Sequence, residues 1–244
     1  MPSYLMKMSP TLLFSGILLA LTALPAVAAN VFEDENAGIA IHQNGALTPP
    51  ASMSLRGMHY GEARVVIAVD ATGRLTDSLA IGYTDPMFAE AALAAARTWT
   101  YEPARVQGEA RAGRAELLFV FKADVVSVQS IDENYYKRVF TGLDEHYVFV
   151  AYPLSKLDKI PTPINMVPPV IGPVSGGRRS VTVEFYIDEK GVARMPVVER
   201  KDAGDVLAAA AVAAVEQWRF EPPLRKGQPV LVLAKQEFTF KQKP

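Results

Sequence analysis

A motif that occurs twice is the strongest constraint on this 244-residue chain. The stretch "VIAVDATGRL", with Asp70 and Gly73, returns as "EFYIDEKGVA", with Asp188 and Gly191, 118 positions later. Trp99, Tyr101, Glu102, Pro103 and Gly108 return as Trp218, Phe220, Glu221, Pro222 and Gly227, and Phe119 and Phe121 as Phe238 and Phe240, all 119 positions later. Two copies at so long a period predict a duplicated domain, not a solenoid of short repeats. Whatever one repeat folds into, the other must fold into as well.

Each repeat reads as strand, strand, helix, strand. In the second, Val181, Val183, Phe185 and Ile187 alternate with Thr182, Glu184, Tyr186 and Asp188, the period of a half-buried strand. Asp-x-x-Gly then makes a turn whose glycine takes a left-handed backbone. A second strand over about Val192 to Val198 contains Pro196, which cannot donate to a ladder and so belongs at a sheet edge. The helix follows in "DVLAAAAVAAVEQW", with Leu207, Ala211, Val215 and Trp218 on one stripe; Phe88, Ala92, Ala96 and Trp99 match them in the first repeat. Asp85-Pro86 supplies an N-cap and a first turn. A last strand over Val230 to Phe240 turns Val230, Val232, Ala234, Phe238 and Phe240 inward. A right-handed crossover between the second and third strands places the first strand between them. The last strand is then left as an edge.

The expected fold class is therefore α+β: two tandem β-β-α-β units, each a small antiparallel-type sheet packed on one helix. The boundaries are 59–122 for the first unit and 178–242 for the second. Residues 30–58 form an N-terminal extension and 123–177 a linker. In that linker Ile131 to Phe140 reads as a short helix and "EHYVFVAYP" as a strand. Between Pro153 and Pro173 the linker holds six prolines, a stiff, extended composition that reads as a spacer. A partner-binding segment is its alternative.

Lys7, the apolar run Leu12 to Leu24, Pro25 and "AVAA" lay out an export signal over residues 1–29, with cleavage after Ala28 or Ala29. The alternative is an N-terminal anchor, because no charge lies between Met8 and Phe32, long enough for a span of about 20 residues. Either reading exports the rest of the chain. It has no cysteine, so ordinary cores must stabilise it in place of disulfides.

Composition and motifs exclude several classes of function. A net charge of −1 argues against nucleic acid, which needs a concentrated excess of Lys and Arg. His42, His59 and His146 have no shared metal-ligand spacing, and neither a nucleophile-elbow motif nor a Gly-rich phosphate loop occurs. No enzymatic activity, metal or cofactor is expected. Trp99 and Trp218 read as core anchors at the end of the helix stripe, and Arg219 as one half of a surface ion pair with a nearby carboxylate.

Taken together, Asp-x-x-Gly after a strand, an Ala-rich helix, Trp218-Arg219-Phe220-Glu221-Pro222, Gly227-Gln228-Pro229-Val230 and a Phe-rich last strand resemble the TonB C-terminal domain family. The first repeat is looser, with Thr100 in place of Arg219 and Glu109-Ala110 in place of Gln228-Pro229. The resemblance makes Asp70, Gly73, Trp99, Tyr101, Pro103, Asp188, Gly191, Trp218, Arg219, Phe220, Pro222 and Gly227 structural motif residues. It also implies a periplasmic protein that captures a segment of a TonB-dependent outer-membrane receptor, or of another envelope protein, by adding it to its own last strand. Strand addition needs an edge whose N–H and C=O groups are unpaired. Carried over, that edge is Val230, Leu231, Val232, Leu233, Ala234, Lys235 and Gln236, with Arg114 to Val120 as its counterpart. A proline at Leu233 is expected to weaken docking there. If the leader is retained, inner-membrane proton-channel proteins join the partners.

The alternative is a periplasmic structural or adaptor module without energy coupling. No histidine lies within residues 1–41 and only about 33 residues separate the leader from the first strand, on the order of 100 Å when extended. In that reading the repeats either bind peptides jointly or pack on each other through their edges.

Overall fold

The computed structural model describes residues 38–44, 47–123, 125–131, 147–171, 179–198 and 206–240. The leader expected over 1–29 lies outside them, as does the short helix expected from Ile131 onward, except that Ile131 itself ends a strand. The described residues form a mixed α+β structure, mostly strands with three α-helices, arranged in small sheets. No helix among them is long and apolar enough to cross a membrane.

The first half runs β1 (Ala40–His42), α1 (Ala51–Leu55), β2 (Tyr60–Val69), β3 (Leu75–Tyr83) and α2 (Pro86–Ala96). It continues through β4 (Thr100–Glu102), the hairpin β5 (Ala104–Val106) and β6 (Glu109–Arg111), then β7 (Gly113–Lys122), β8 (Val125–Ile131) and β9 (Phe149–Val150). The second half runs β10 (Tyr152–Pro153), β11 (Pro163–Asn165), β12 (Arg179–Ile187), β13 (Ala193–Val198) and α3 (Val206–Val215). It closes with β14 (Arg219–Phe220), the hairpin β15 (Leu224–Arg225) and β16 (Gln228–Pro229), and β17 (Val232–Phe240). Two larger sheets result, ordered β8-β7-β2-β3-β9 and β10-β17-β12-β13. In each, the strand that opens the repeat lies between the other two, as the crossover requires. The Pro196-bearing β13 is an edge strand.

Local chemistry accounts for the elements. The Asp85 carboxylate accepts the Met87 N–H at 3.1 Å and Pro86 fills the first turn of α2, where its missing N–H costs nothing. Phe88, Ala92 and Ala96 on α2, and Leu207, Ala211 and Val215 on α3, are buried against their own sheets. Both hairpins turn through two residues of positive φ, Gln107-Gly108 and Lys226-Gly227, the backbone twist that matches paired strands.

The sheets are buried on both faces, which the alternating pattern does not reveal. One face of each packs on its helix. The other faces meet each other in a core of Val66, Ile81, Tyr186, Met195 and Leu231, with Leu79, Phe149 and Leu233 around it. The repeats thus belong to one compact unit and associate through sheet faces, not through edges. Charges sit beside this core: Arg194 of β13 forks onto Asp77 of β3 at 2.6 and 2.9 Å, and Arg114 of β7 bonds Glu184 of β12. Arg114 also lies over the Tyr186 ring, 5.1 Å from its centroid.

The segment expected as a spacer lies along the second repeat. β11 pairs with β14, and Leu154, Leu157 and Ile171 pack on the core beneath α3. The Trp218 indole N–H donates to the Val167 carbonyl at 2.9 Å, and the Thr162 carbonyl accepts the Glu221 N–H at 2.8 Å. β1 makes the same kind of pairing with β4 in the first repeat. The Asn44 amide donates to the Thr98 carbonyl and the Asn165 amide to the Gln217 carbonyl, each just before the tryptophan. The prolines keep this strap extended, and its hydrogen bonds hold it in place.

Candidate docking edge

The motif residues build the platform under the last strand. Gly73 and Gly191 have φ of +86° and +80°, and a Cβ on Gly191 would stand 1.9 Å from the Phe220 carbonyl oxygen. Only glycine lets the turn press against β14, where the Phe220 N–H donates to the Gly191 carbonyl at 2.8 Å. Asp188 fixes that turn by accepting the Lys190 and Val192 N–H groups, and Asp70 does the same with Thr72 and Arg74. The Thr72 hydroxyl and these backbone donors hold the Asp70 carboxyl well below the usual carboxylate range.

Trp99 and Trp218 are buried core anchors, stacked on Phe119 and edge-on to Phe185 respectively. Tyr101 and Phe220 are buried below them. The Tyr101 hydroxyl donates to the Ala96 carbonyl at the end of α2. Arg219 departs from the expected ion pair. Its guanidinium donates to the Trp218 and Glu216 carbonyls at 2.7 and 3.3 Å, where a cation neutralises the helix end. Pro103 lies beside the Gly73 turn, Pro222 is exposed, and Gly108 and Gly227 sit at the open tips of their hairpins.

The predicted edge begins after this platform. Val230 and Leu231 precede β17, and Val232, Leu233, Ala234, Lys235 and Gln236 lie on it. β12 covers one flank of β17 along its whole length, from Ile187 opposite Val232 to Arg179 opposite Phe240. On the other flank β10 runs parallel and pairs only with Val232 and Leu233. The Tyr152 N–H donates to the Leu231 carbonyl at 2.9 Å. Successive residues of a strand point their N–H and C=O to alternate flanks, so Leu233, Lys235, Glu237 and Thr239 face the β10 side. From Ala234 to Phe240 that flank pairs with no strand among the described residues. The Gln236 side-chain amide folds over the Glu237 carbonyl at 2.8 Å.

The counterpart in the first repeat is not an edge. β8 pairs antiparallel with β7 from Lys122 to Glu116 and occupies, from Glu116 onward, the flank expected to be open along Arg114 to Val120. A short turn joins β7 to β8, so the chain returns along its own edge and satisfies those groups itself. Sequence reasoning missed β8 and the strap, whereas the strand expected in "EHYVFVAYP" forms as two short pieces, β9 on the first sheet and β10 on the second. β8 is legible in hindsight as "VVSVQSI", β-branched residues directly after a turn. For the strap, the signal is an Asn followed by Pro-Pro before each repeat, at Asn44 with Pro49-Pro50 and Asn165 with Pro168-Pro169.

Charge on the edge is modest and organised from behind. Burial works against the Glu184 charge, but Arg114 and Lys235 more than offset it and keep the carboxyl below its ordinary value. Lys235 reaches Glu184 at 2.9 Å across the β12–β17 pair. Asp158, on the strap, accepts the Gly227 and Lys226 N–H groups at 2.8 Å each and thereby ties the β15–β16 hairpin to the segment carrying β10. Those donors lower its carboxyl. Among the described residues no group of His, Asp and Glu could hold a metal ion.

No curated protein matches the chain. The sequence profile of the Gram-negative bacterial TonB protein C-terminal family matches residues 50–123 and 178–242, the two stretches that carry the helices α2 and α3 and the strands β7 and β17. The matches cover more than half of the chain, which therefore belongs to the Gram-negative bacterial TonB protein C-terminal family and is a TonB-like protein of envelope transport.

Proposed function

We propose that the second repeat docks an extended segment of a TonB-dependent outer-membrane receptor by strand addition along β17, and so contributes to transport across the outer membrane. The observation that carries this reading is the flank of β17 from Gln236 to Phe240, which pairs with no strand among the described residues and is held on a sheet that β12 backs along its whole length. Backbone pairing supplies affinity, and side chains on alternate positions supply specificity. The two repeats are duplicates of one β-β-α-β unit with divided roles: the second receives the partner, and the first, its own flank filled by β8, supports it. The reading places the protein in the periplasm with the leader as export signal or anchor, and retention of the leader adds the inner-membrane proton-channel proteins as partners.

Leu233 lies where β10 pairs, so the informative substitution is Glu237→Pro. Its N–H faces the open flank, and proline there leaves the β12 ladder intact. Capture of outer-membrane receptors from envelope extracts is expected to fall at least tenfold with the folded variant. Undiminished capture refutes edge docking.

A further inference from the structure

The straps of the two repeats hold their positions alike but present opposite surfaces. In the first, Ile39, Ile41 and Leu47 turn in to the α2-side core, while Ala40, His42, Asn44 and Thr48 stand exposed. In the second, Pro161 is buried and Ile171 packs on the α3-side core, yet Ile160, Ile164, Met166 and Val170 stand exposed. Ile160, Ile164 and Val170 are 75, 69 and 87% exposed. Of the nine large apolar side chains exposed among the described residues, these four fall within residues 160–170. Exposed apolar side chains scattered singly need no explanation, whereas a concentration of them marks a contact surface. Holding a strap in place does not require such a row, since the first strap does without it.

Charge differs between the repeats in the same region. Over 154–171 and 221–229 the chain places Lys156, Lys159, Arg225 and Lys226 against two carboxylates, Asp158 and Glu221. Both carboxylates are engaged, Asp158 by the Lys226 and Gly227 N–H groups and Glu221 by Lys159 at 2.8 Å. These contacts tie the β15–β16 hairpin to the strap and gather the cations at the Ile160 end of the apolar row. The matching stretches of the first repeat, 38–50 and 102–110, carry Arg105 against Glu102 and Glu109. The second repeat thus combines an aliphatic row with a basic end, and the first has neither.

We infer that the second strap is a lipid-contacting surface. Its apolar row enters the interfacial layer of an anionic phospholipid bilayer, and Lys156, Lys159, Arg225 and Lys226 engage the phosphate head groups. Binding of this kind scales with buried apolar area plus the attraction of basic side chains to anionic lipid. Long Lys and Arg side chains reach head groups while their stems lie on apolar surface. A protein interface is instead anchored by Trp, Tyr or Arg seated in packed pockets, and the exposed row holds only Ile, Met and Val. The inference does not depend on docking along β17.

The test uses residues 30–244, which contain the whole compact unit Asp34–Pro244, so that the leader's own affinity for lipid is absent. Because the chain has no cysteine, Val170→Cys and Ala40→Cys each carry a single polarity-sensitive fluorophore. Vesicles are made of phosphatidylcholine alone, or of phosphatidylcholine and phosphatidylglycerol in equal parts. The Val170 label is expected to shift to the blue with the anionic vesicles, and the Ala40 label to stay unchanged. Each cation near an anionic surface contributes about fivefold, so Lys156→Gln with Lys226→Gln should weaken binding about twentyfold. Ile164→Asp should weaken it about tenfold. Trp218 emission checks that the strap of each variant is in place, through the indole bond to Val167. No binding to the anionic vesicles, an equal response of the Ala40 label, or binding indifferent to the lysine substitutions overturns the inference. A Val170 response that follows protein concentration without lipid assigns the row to a second copy of the chain and overturns it as well.

Discussion

Truncating Leu231 tests whether the two repeats are one cooperative structure. Leu231 precedes β17 and turns away from its own helix, into the core it shares with Val66 and Ile81 of the first repeat and Tyr186 and Met195 of the second. It is fully buried. Leu231→Ala removes three carbons, about 2.4 kcal/mol of transfer free energy at ~0.8 kcal/mol each. The cavity left between two rigid sheets raises the cost to about 3–4 kcal/mol. The chain has two tryptophans, one in each repeat, at Trp99 and Trp218, so each repeat has its own fluorescent reporter. In urea, with a slope of about 2–3 kcal/mol/M for a structure of this size, the midpoint should fall by about 1–2 M. The decisive comparison uses Trp218→Phe and Trp99→Phe backgrounds. If the shared core couples the repeats, the truncation lowers the midpoint reported by Trp99 as much as that reported by Trp218. A shift confined to Trp218 would refute the face-to-face packing.

Other outcomes follow from the turns and from the buried charges. Gly191→Ala and Gly227→Ala both place a side chain at positive φ, a cost of about 1–2 kcal/mol. At Gly227 the added carbon meets open space, whereas at Gly191 it meets the Phe220 carbonyl. Thermal unfolding should therefore show a clearly larger loss for Gly191→Ala, and equal losses would contradict the clamp between turn and β14. Glu116 is bonded to Arg64 beside the shared core. Burial pushes its carboxyl up to about 7, with Arg64 opposing only in part. The folded value lies above the unfolded one near 4.5, so between them the unfolded chain binds fewer protons. The contribution of this group is thus full below about pH 4.5, declines as pH rises through about 7, and then levels off. Urea midpoints taken from pH 4.5 to 8 should show this decline, and Glu116→Gln should flatten it. A wild-type profile that rises over that interval for this group would reverse the assignment.

Residues of the sequence alone determine much of each repeat. Asp188 and Gly191 mark a turn because a carboxylate and a left-handed glycine are needed there whatever the surroundings. Leu207, Ala211, Val215 and Trp218 mark the buried stripe because the helical period brings them together. Val232, Ala234 and Phe240 mark the inner face of the last strand because strand side chains alternate. The central place of the first strand follows from the handedness of one crossover. All of these are consequences of local geometry.

Tertiary structure decides what lies beyond each flank and face. Alternation assigns Tyr186 and Glu184 to the face away from the helix, yet it cannot distinguish solvent from a second sheet. Arg64 and Glu116, neighbours on β2 and β7, pair within the first sheet, whereas Arg114 finds its counter-charge, Glu184, only on the second. Likewise the pattern of β7 and β17 is nearly the same, but among the described residues one flank is paired with β8 from Glu116 to Lys122 and the other with β10 at Val232 and Leu233. Which backbone groups stay unpaired depends on where distant segments return, and side-chain periodicity carries no information about that.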